Sequence, residues 1–211
     1  MLTLPNIFGL LVAYLVGSIP SAVWVGRTFY NIDVREYGSG NAGATNTFRV
    51  LGKKPGIAVL IMDVLKGFLC VKLAYIMGDY DSQSPEFIDF ELGLGVCGLL
   101  GHIFPVFVGF RGGKGVATLL GILIGIHPEA ALLCALAFIL TLYLSGYVSL
   151  SSMVSGITFP IVIMVFYSTN SSINIFSLAV AILILITHQR NIERILRGDE
   201  SRVKWFRKRL F

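Results

Sequence analysis

Residues 4–26 read LPNIFGLLVAYLVGSIPSAVWVG and contain no charged side chain. A helix needs roughly 20 predominantly apolar residues to cross the hydrocarbon core of a bilayer, and this stretch is long enough. Its apolar residues are continuous rather than alternating with polar ones, which favours a helix over a strand of a membrane barrel. The stretch therefore predicts a membrane-spanning helix and indicates a membrane protein.

The same apolar pattern recurs along the rest of the chain. One run, 115–145, is interrupted at His127-Pro128-Glu129 and is long enough for a hairpin of two short helices. With that hairpin counted as two, we predict an all-α polytopic membrane protein of about seven transmembrane helices. The other runs cover residues 55–78, 91–110, 149–168 and 172–188.

The composition agrees with this class. Of the 211 residues, 55% are hydrophobic and only 14% are charged, whereas soluble domains carry about 25% charged residues. The mean hydropathy is +0.78. These values leave no room for a separate soluble domain, so we predict a single integral membrane domain over residues 1–211. The first run starts without a basic segment or a clear cleavage site, which favours a retained helix over a signal peptide.

The basic residues are distributed asymmetrically. All but two of the 17 Lys and Arg residues lie in the segments 27–54, 109–115 and 188–211, and the exceptions are Lys66 and Lys72. The segments at the opposite ends of the runs carry acidic residues and no basic one. The positive-inside rule therefore makes the three basic segments cytoplasmic, with the N-terminus outside and the C-terminus inside. The acidic residues of the outer side are Asp79, Asp81, Glu86, Asp89, Glu91 and Glu129.

The net charge of +5 would suggest nucleic-acid binding in a soluble protein, but the positive-inside distribution explains it here, and we predict no nucleic-acid partner. Cys70, Cys97 and Cys134 lie inside apolar runs. Their odd number and their spacing do not fit a metal site, so they are interpreted as packing residues. We predict neither a metal nor another cofactor. The tail 203–211 mixes aromatic and basic residues and is expected either to rest on anionic headgroups or to be disordered.

The first basic segment contains the polar string GSGNAGATNTFR at residues 38–49. Its three glycines let backbone N–H groups converge on an anion, and Arg49 adds a fork of charged donors. The string also matches the dinucleotide-binding pattern GxGxxG, but that pattern requires a preceding strand in a soluble βαβ unit. We therefore predict an anion site, and the alternative is a flexible, helix-breaking loop. The further residues expected to contact substrate here are Gly40, Asn41, Thr45 and Asn46.

The second basic segment lies within GHIFPVFVGFRGGKGVAT at residues 101–118. A glycine-rich turn with Lys114 at the start of a helix is typical of a phosphate site, because amide groups, helix dipole and ammonium all favour negative charge. It is not a nucleotide P-loop, since Val108 and Gly115 replace the glycine and the hydroxyl residue which that motif requires. The alternative is an ordinary cytoplasmic turn. The residues expected to contact substrate here are His102, Arg111, Gly112 and Gly113.

The third basic segment begins directly after the last apolar run with HQRNIERILRGDE, residues 188–200. A histidine beside arginines, as His188 is, suits a base, an acid or an anion donor, whereas the alternative is a basic stop to the last helix. Asp63 and Lys66 stand three residues apart within the second run and share a helix face. They form either a neutral pair or the floor of a pocket. Lys72 has no evident partner in the sequence.

The three loops at these separations, together with Asp63–Gly67 and the helix count, resemble the bacterial acyl-phosphate-dependent glycerol-3-phosphate acyltransferases over nearly the whole chain. The resemblance implies an integral membrane enzyme of phospholipid biosynthesis in the bacterial cytoplasmic (inner) membrane, with its active site facing the cytoplasm. It implies transfer of a fatty acyl group from acyl phosphate to the sn-1 hydroxyl of glycerol-3-phosphate, which yields lysophosphatidic acid and phosphate. Ala42, Arg111 and Gln189 stand where proline, lysine and arginine are common in that family.

Matched position by position, the resemblance also implies roles for individual residues. Gly112 and Gly113 look like parts of a phosphate-binding turn, and Glu200 looks structural. Lys66 is expected to reach substrate if it lines the pocket floor. The implied partners are acyl phosphate, glycerol-3-phosphate and membrane lipid, and the oligomeric state is left open. The residues expected to be catalytic are Ser39, Arg49, Lys114, His188 and Asn191.

The rival interpretation is a membrane transporter of an organic phosphate, which would share the basic loops and the intramembrane charges. Transporters usually place their site near the middle of the membrane between repeated halves. This chain gathers its polar clusters on one side and shows no internal repeat. A lipid-binding scaffold without chemistry is the third interpretation. The acyltransferase is the function that we predict.

Overall fold

The computed structural model describes residues 3–78, 80–167 and 171–203 of the chain. Within these ranges all regular secondary structure is helical, which confirms the all-α prediction. Short 3-10 turns lie at Val34–Glu36 and Val106–Val108. The α-helices are α1 (Leu4–Gly17), α2 (Ser21–Tyr30), α3 (Ala44–Val50), α4 (Lys53–Lys72), α5 (Ala74–Met77), α6 (Pro85–Ile103), α7 (Val116–Ile126), α8 (Pro128–Ser145), α9 (Val148–Phe166), α10 (Ser171–Thr187) and α11 (Gln189–Arg197).

Several of these helices have the length and composition of membrane spans. Pro85–Val108, Pro128–Ser145 and Val148–Phe166 meet the requirement by themselves. The pairs α1 with α2 and α10 with α11 meet it only when each bent pair is taken as one span, with bends of 41° and 56°. The described residues thus contain three such spans, or up to five, and the count of seven stays a prediction. The run 115–145 divides into two helices, α7 and α8, as expected, although α7 has only 11 residues.

The span predicted over residues 4–26 is interrupted in the structure. Helix α1 ends at Gly17 and α2 begins at Ser21, with a 41° bend between them. Pro20 causes the break, because proline lacks an amide hydrogen and its ring disfavours the helical conformation of the preceding residue. The Ile19 carbonyl at the break accepts a hydrogen bond of 2.8 Å from the Lys66 ammonium of α4. A charge from another helix therefore stabilises the interrupted backbone.

Helix α4 packs closely against α7. A Cβ atom at Gly67 would lie 2.1 Å from the Thr118 carbonyl oxygen, and one at Gly121 would lie 1.9 Å from the Val64 carbonyl oxygen. The two backbones therefore touch, as small residues allow at helix contacts in membranes. Near the end of α4, Lys72 donates to the Gly125 carbonyl at 2.7 Å.

Lys72 also has an acidic partner that the sequence did not reveal. Its ammonium lies 3.5 Å from the Glu91 carboxylate of α6. It also lies 4.8 Å from the centre of the Tyr75 ring, a distance typical of a cation–π contact. The lysine that lacked an evident partner is thus held by groups from neighbouring helices, which suits a structural role.

The chain divides into two compact units, Met1–Pro128 and Glu129–Phe211. In the second unit, Ser155 of α9 donates to the Cys134 carbonyl of α8 at 2.9 Å. The rings of Phe159 and Phe176 meet edge to face, which packs α9 against α10. The predicted single domain stays a prediction. The prediction for the tail beyond residue 203 lies outside the described residues.

Candidate active site

Asn46 organises the first polar loop from within. Its side chain is 1% exposed. The amide nitrogen donates to the backbone carbonyls of Val34 at 2.7 Å and Tyr37 at 3.1 Å. The amide oxygen accepts hydrogen bonds from the Ser39 backbone N–H at 2.8 Å and the Ser39 hydroxyl at 3.1 Å. Asn46, which was expected to contact substrate, is therefore occupied with folding residues 34–39 back onto α3.

Two backbone amides of this loop already donate to protein acceptors. The Ser39 amide is bonded to Asn46, and the Gly40 amide donates to the Tyr37 carbonyl at 3.1 Å. The glycines instead supply left-handed backbone, as the φ of +72° at Gly40 shows. Ser39, Thr45 and Arg49 are exposed residues of the loop with polar side chains. Side chains of this first loop, rather than its amides at 39 and 40, are thus available to an anion.

The glycine-rich turn at residues 109–115 has a similar internal anchor. The Gly112 amide donates to the Ile103 carbonyl at 3.1 Å, and the Gly113 amide donates to the His102 carbonyl at 3.2 Å. These bonds satisfy carbonyls at the C-terminal end of α6, which lack partners within the helix. Both glycine amides therefore donate to protein acceptors in this conformation, and phosphate binding at Gly112 and Gly113 stays a prediction. The turn presents the half-buried Lys114 just before α7.

Gly113 is also where the two loops touch. A Cβ atom there would lie 2.2 Å from Nε2 of His102 and 2.9 Å from the Ala42 carbonyl oxygen. Only glycine fits between the imidazole and the first loop, because real Cβ atoms do not approach closer than 3.0 Å. The structure thus brings the loop that carries Ser39 and Arg49 against the turn that carries Lys114.

His102 and Lys66 lie behind this contact rather than at its surface. Nδ1 of His102 is 3.0 Å from the Thr118 hydroxyl and 3.7 Å from the Asp63 carboxylate. The same carboxylate accepts a 2.9 Å hydrogen bond from Ser21 and pairs with the Lys66 ammonium at 2.8 Å. His102 is 6% exposed and Lys66 5% exposed. The geometry favours the neutral pair over the pocket floor for Asp63 and Lys66, and makes His102 a support for the turn.

Arg35 is a functional candidate that the sequence analysis missed. Its guanidinium donates to the Val108 carbonyl at 2.8 Å and the Arg111 carbonyl at 3.3 Å, both in the second loop. It also forms an ion pair with Asp33 at 2.7 Å. The hydrogen bond from Arg35, opposed by partial burial, lowers the pKa of Asp33 to about 2. The available signal was the spacing Asp33-x-Arg35 directly before the polar loop.

The second unit contains the predicted residues of the third loop. His188 lies between α10 and α11 and is 3% exposed. Its Nδ1 lies 2.8 Å from the Ile184 carbonyl oxygen, which can only accept a hydrogen bond. The proton of a neutral imidazole is therefore on Nδ1, and the lone pair is on Nε2. This tautomer suits a proton acceptor.

Asn191 is held by Glu200. The Glu200 carboxylate accepts hydrogen bonds from Asn191 at 2.7 Å, Ser149 at 2.7 Å and Arg194 at 2.8 Å. Burial raises the pKa of Glu200, but these three hydrogen bonds outweigh it and hold the pKa below its usual range. Glu200 thus fixes the side chain of Asn191 and ties α11 to α9, as a structural residue would.

The remaining predicted contacts have side chains on the surface or partly on it. Arg111 is exposed and Asn41 is half-buried. Among residues 3–78, 80–167 and 171–203, no group of three or more His, Cys, Asp or Glu side chains is arranged to hold a metal ion. Metal independence remains a prediction, to be checked by activity in the presence of a chelator.

The fold and the two joined loops of the first unit define a class: an integral membrane protein of α-helices with polar loops that carry basic side chains. Residues 7–198 match the sequence model of a family described as glycerol-3-phosphate acyltransferase. The chain belongs to this family, and the resemblance found in the sequence is confirmed.

Relatives and solved structures agree on the family. A glycerol-3-phosphate acyltransferase of Enterococcus faecalis is 45% identical, covering 93% of this chain and 91% of the relative. That of Staphylococcus carnosus is 43% identical, covering 93% and 96%. The crystal structure of PlsY (YgiH), an integral membrane glycerol 3-phosphate acyltransferase, in its glycerol 3-phosphate form superposes with a TM-score of 0.86 at 35% identity, covering 98% of this chain and 99% of PlsY. Its lysphosphatidic acid form gives a TM-score of 0.80 at 35% identity, covering 93% and 94%.

Proposed function

We propose that this enzyme transfers a fatty acyl group from acyl phosphate to the sn-1 hydroxyl of glycerol-3-phosphate and releases lysophosphatidic acid and phosphate. The observation that carries the proposal is the contact of Gly113 with His102 and Ala42. It joins the loop with Ser39 and Arg49 to the turn with Lys114, in a chain that matches the glycerol 3-phosphate form of PlsY along nearly its whole length.

The reaction does not require the protein to form a covalent bond with the acyl group. Acyl phosphate is a mixed anhydride with a good leaving group, so the sn-1 oxygen attacks the carbonyl carbon directly. The new ester bond forms as the bond from that carbon to the phosphate oxygen breaks. We assign to Arg49 and Lys114 the task of holding two anions together against their repulsion, which is a matter of orientation and charge. Covalent trapping of an acyl-enzyme would contradict this scheme.

The hydroxyl proton needs an acceptor. His188 is the protein group with the right tautomer, since its Nδ1 lies on the Ile184 carbonyl and Nε2 keeps the lone pair. A phosphate oxygen of the donor is the other candidate. We assign Ser39 and Asn191 to substrate orientation, with Asn191 fixed by Glu200.

The membrane arrangement that we propose has seven spans, with the N-terminus outside and the C-terminus in the cytoplasm of a bacterial inner membrane. The basic segments 27–54, 109–115 and 188–211 would then face the cytoplasm. The charge asymmetry of the sequence supports this orientation. Reaction of single introduced cysteines with a membrane-impermeant reagent tests it: labelling of residue 111 from outside intact cells would overturn it.

The first experiment offers glycerol-3-phosphate with acyl phosphate or acyl-CoA, in parallel, to purified protein in lipid. Product from acyl phosphate alone is the expected result. Product from acyl-CoA would keep acyl transfer but overturn the donor. No product from either donor, in folded protein, would favour the transporter of an organic phosphate.

Arg49→Ala then tests the site, with Arg197→Ala as a control because Arg197 is an exposed arginine outside the proposed machinery. Arg49→Ala is expected to abolish turnover, and Arg197→Ala to retain it. Equal effects of the two substitutions would show that only bulk positive charge matters.

A further inference from the structure

Arg35 lies at the base of the first polar loop and is anchored there by Asp33. Asp33 caps the 3-10 turn Val34–Glu36 by accepting the Arg35 backbone N–H at 3.0 Å. The same carboxylate accepts Nε of Arg35 at 3.0 Å and Nη2 at 2.7 Å. This two-pronged geometry fixes the plane of the guanidinium, and the Arg35 side chain is only 13% exposed.

The free edge of that plane reaches the second loop. Nη1 donates to the Val108 carbonyl at 2.8 Å and the Arg111 carbonyl at 3.3 Å. Val108 ends the 3-10 turn before Gly109, and Arg111 directly precedes Gly112. The Arg35 side chain, which is anchored in the first loop, thus bonds to the residue before the glycine-rich turn and to a residue within it.

Only a guanidinium can make this set of bonds. Its five donors lie in one plane, so two of its edges can serve a carboxylate and two carbonyls at the same time. Lysine has a compact ammonium that keeps the charge but cannot reach both sides. Position 35 therefore requires the guanidinium of arginine, and a positive charge alone is not sufficient.

We propose that Arg35 is a positioning residue that sets the spacing between the loop carrying Arg49 and the turn carrying Lys114. This proposal rests on the proposed function, since these two cations are the groups assigned to the phosphorylated substrates. Arg35 itself touches neither reacting group. Its effect on catalysis comes from the relative placement of the two loops, and displacements of about 1 Å in such sites cost on the order of 100-fold in rate.

The helix packing of the first unit does not depend on this residue. The contacts of α4 with α7 are made by helix backbones at Gly67 and Gly121. The glycine amides of the turn donate to Ile103 and His102, and these bonds do not involve Arg35. Removal of Arg35 is therefore expected to leave a folded protein in which the turn moves relative to the first loop.

Arg27 provides a matched control. It donates to the same Asp33 carboxylate at 2.9 Å, but its side chain is 58% exposed, and no bond to the second loop is found for it among the described residues. Arg27→Ala removes one positive charge and one bond to Asp33 while leaving the link to Val108 and Arg111 intact. Comparison of Arg27→Ala with the Arg35 variants therefore separates the effect of losing the link between the loops from the effect of losing a nearby positive charge.

The experiment compares wild type, Arg27→Ala, Arg35→Ala and Arg35→Lys in lipid nanodiscs. Steady-state kinetics with both substrates gives kcat and KM, thermal unfolding gives stability, and hydrogen exchange measured by mass spectrometry follows residues 106–114. We expect kcat/KM to fall about 10- to 100-fold in both Arg35 variants, with faster exchange in residues 106–114. Arg27→Ala is expected to stay within about 2-fold of wild type, without that faster exchange.

Several results would overturn the proposal. Full activity in Arg35→Lys would show that charge alone suffices, and an equal loss in Arg27→Ala would show that the link between loops is irrelevant. Unchanged exchange at residues 106–114 in folded Arg35→Ala would show that Arg35 does not hold the turn. If Arg35→Ala does not fold, Arg35→Lys decides, because it retains a cation beside Asp33. If wild type transfers no acyl group, the proposed function fails, whereas the exchange data still judge the link.

Discussion

The substitution Gly113→Ala adds a single methyl group at the contact between the two loops. Its Cβ would lie 2.2 Å from Nε2 of His102 and 2.9 Å from the Ala42 carbonyl oxygen. Neither neighbour is the end of a flexible side chain, because the imidazole is buried against Thr118 and the carbonyl is backbone. The backbone of the turn must therefore shift to make room.

The size of that shift follows from contact distances. Ordinary van der Waals contact of a Cβ atom begins at 3.4 Å, so Gly113 and the imidazole must separate by about 1.2 Å, the difference between the two distances. A misplacement of about 1 Å in a catalytic constellation costs on the order of 100-fold in rate. That factor corresponds to about 2.7 kcal/mol of transition-state stabilisation. We expect kcat/KM of Gly113→Ala to fall by about this amount, while the protein stays folded.

The assay is steady-state acyl transfer in lipid, with thermal unfolding measured in parallel. Gly93→Ala is the control, because a Cβ atom there meets only the end of the Leu10 side chain, at 3.4 Å. A double variant adds His102→Ala, which makes space for the new methyl group, so the losses of the two substitutions should be less than additive. Wild-type activity in Gly113→Ala, or fully additive losses in the double variant, would refute the reasoning.

Three further predictions follow from buried or bonded ionisable groups. Asp63→Asn leaves the Lys66 ammonium unpaired in the interior and should destabilise the protein by about 3–5 kcal/mol, as measured by thermal unfolding in lipid; adding Lys66→Met should recover much of the loss, and an equally unstable double variant would contradict this. The pKa of Glu200 is held below its usual range, so its carboxylate stabilises the folded protein above about pH 4.5, and this contribution is lost as the pH falls below that value. Unfolding temperatures of wild type and Glu200→Gln should therefore converge in acid, and a constant difference between them would count against the hydrogen-bonded carboxylate. His188→Ala should lower kcat by about 10²- to 10⁴-fold, and an unchanged kcat would assign the proton to the phosphate of the donor.

The helices were predictable because membrane insertion imposes a simple rule on sequence. A run of apolar residues must satisfy its backbone internally, so runs such as 149–168 correspond closely to helices such as α9. The break at Pro20 could have been predicted from the same rules. The overall length of the first run concealed it, since a span was expected wherever enough apolar residues followed one another.

The interior of the candidate site was not predictable in the same way. Sequence showed which residues can bind an anion, but not which of their groups are already bonded. The amides of Ser39, Gly112 and Gly113 donate to protein acceptors, and Asn46 is buried among backbone carbonyls. These partners depend on tertiary contacts that spacing does not encode.

Ion pairs and hydrogen bonds between residues distant in the sequence were not predicted, for the same reason. Lys72 finds Glu91 only because α4 and α6 pack together, and Arg35 meets the Arg111 carbonyl only because the two loops meet. Asp63 and Lys66, by contrast, were recognised as a potential pair because they lie three residues apart on one helix. Residue spacing predicts contacts within one helix, whereas contacts between distant segments depend on how those segments pack.

The interrupted first helix has a consequence for biogenesis. Helix α4 carries charges along its length and is not among the helices apolar enough to cross a membrane alone. Both partners of its costly charged groups belong to segments synthesised earlier: the Ile19 carbonyl accepts a hydrogen bond from Lys66, and the Ser21 hydroxyl donates one to Asp63. The segments that provide these partners are therefore synthesised before α4. Membrane insertion of α4 becomes a cooperative event that depends on the preceding bent pair of helices, α1 and α2, so chains that lack residues 4–26 should leave α4 outside the bilayer.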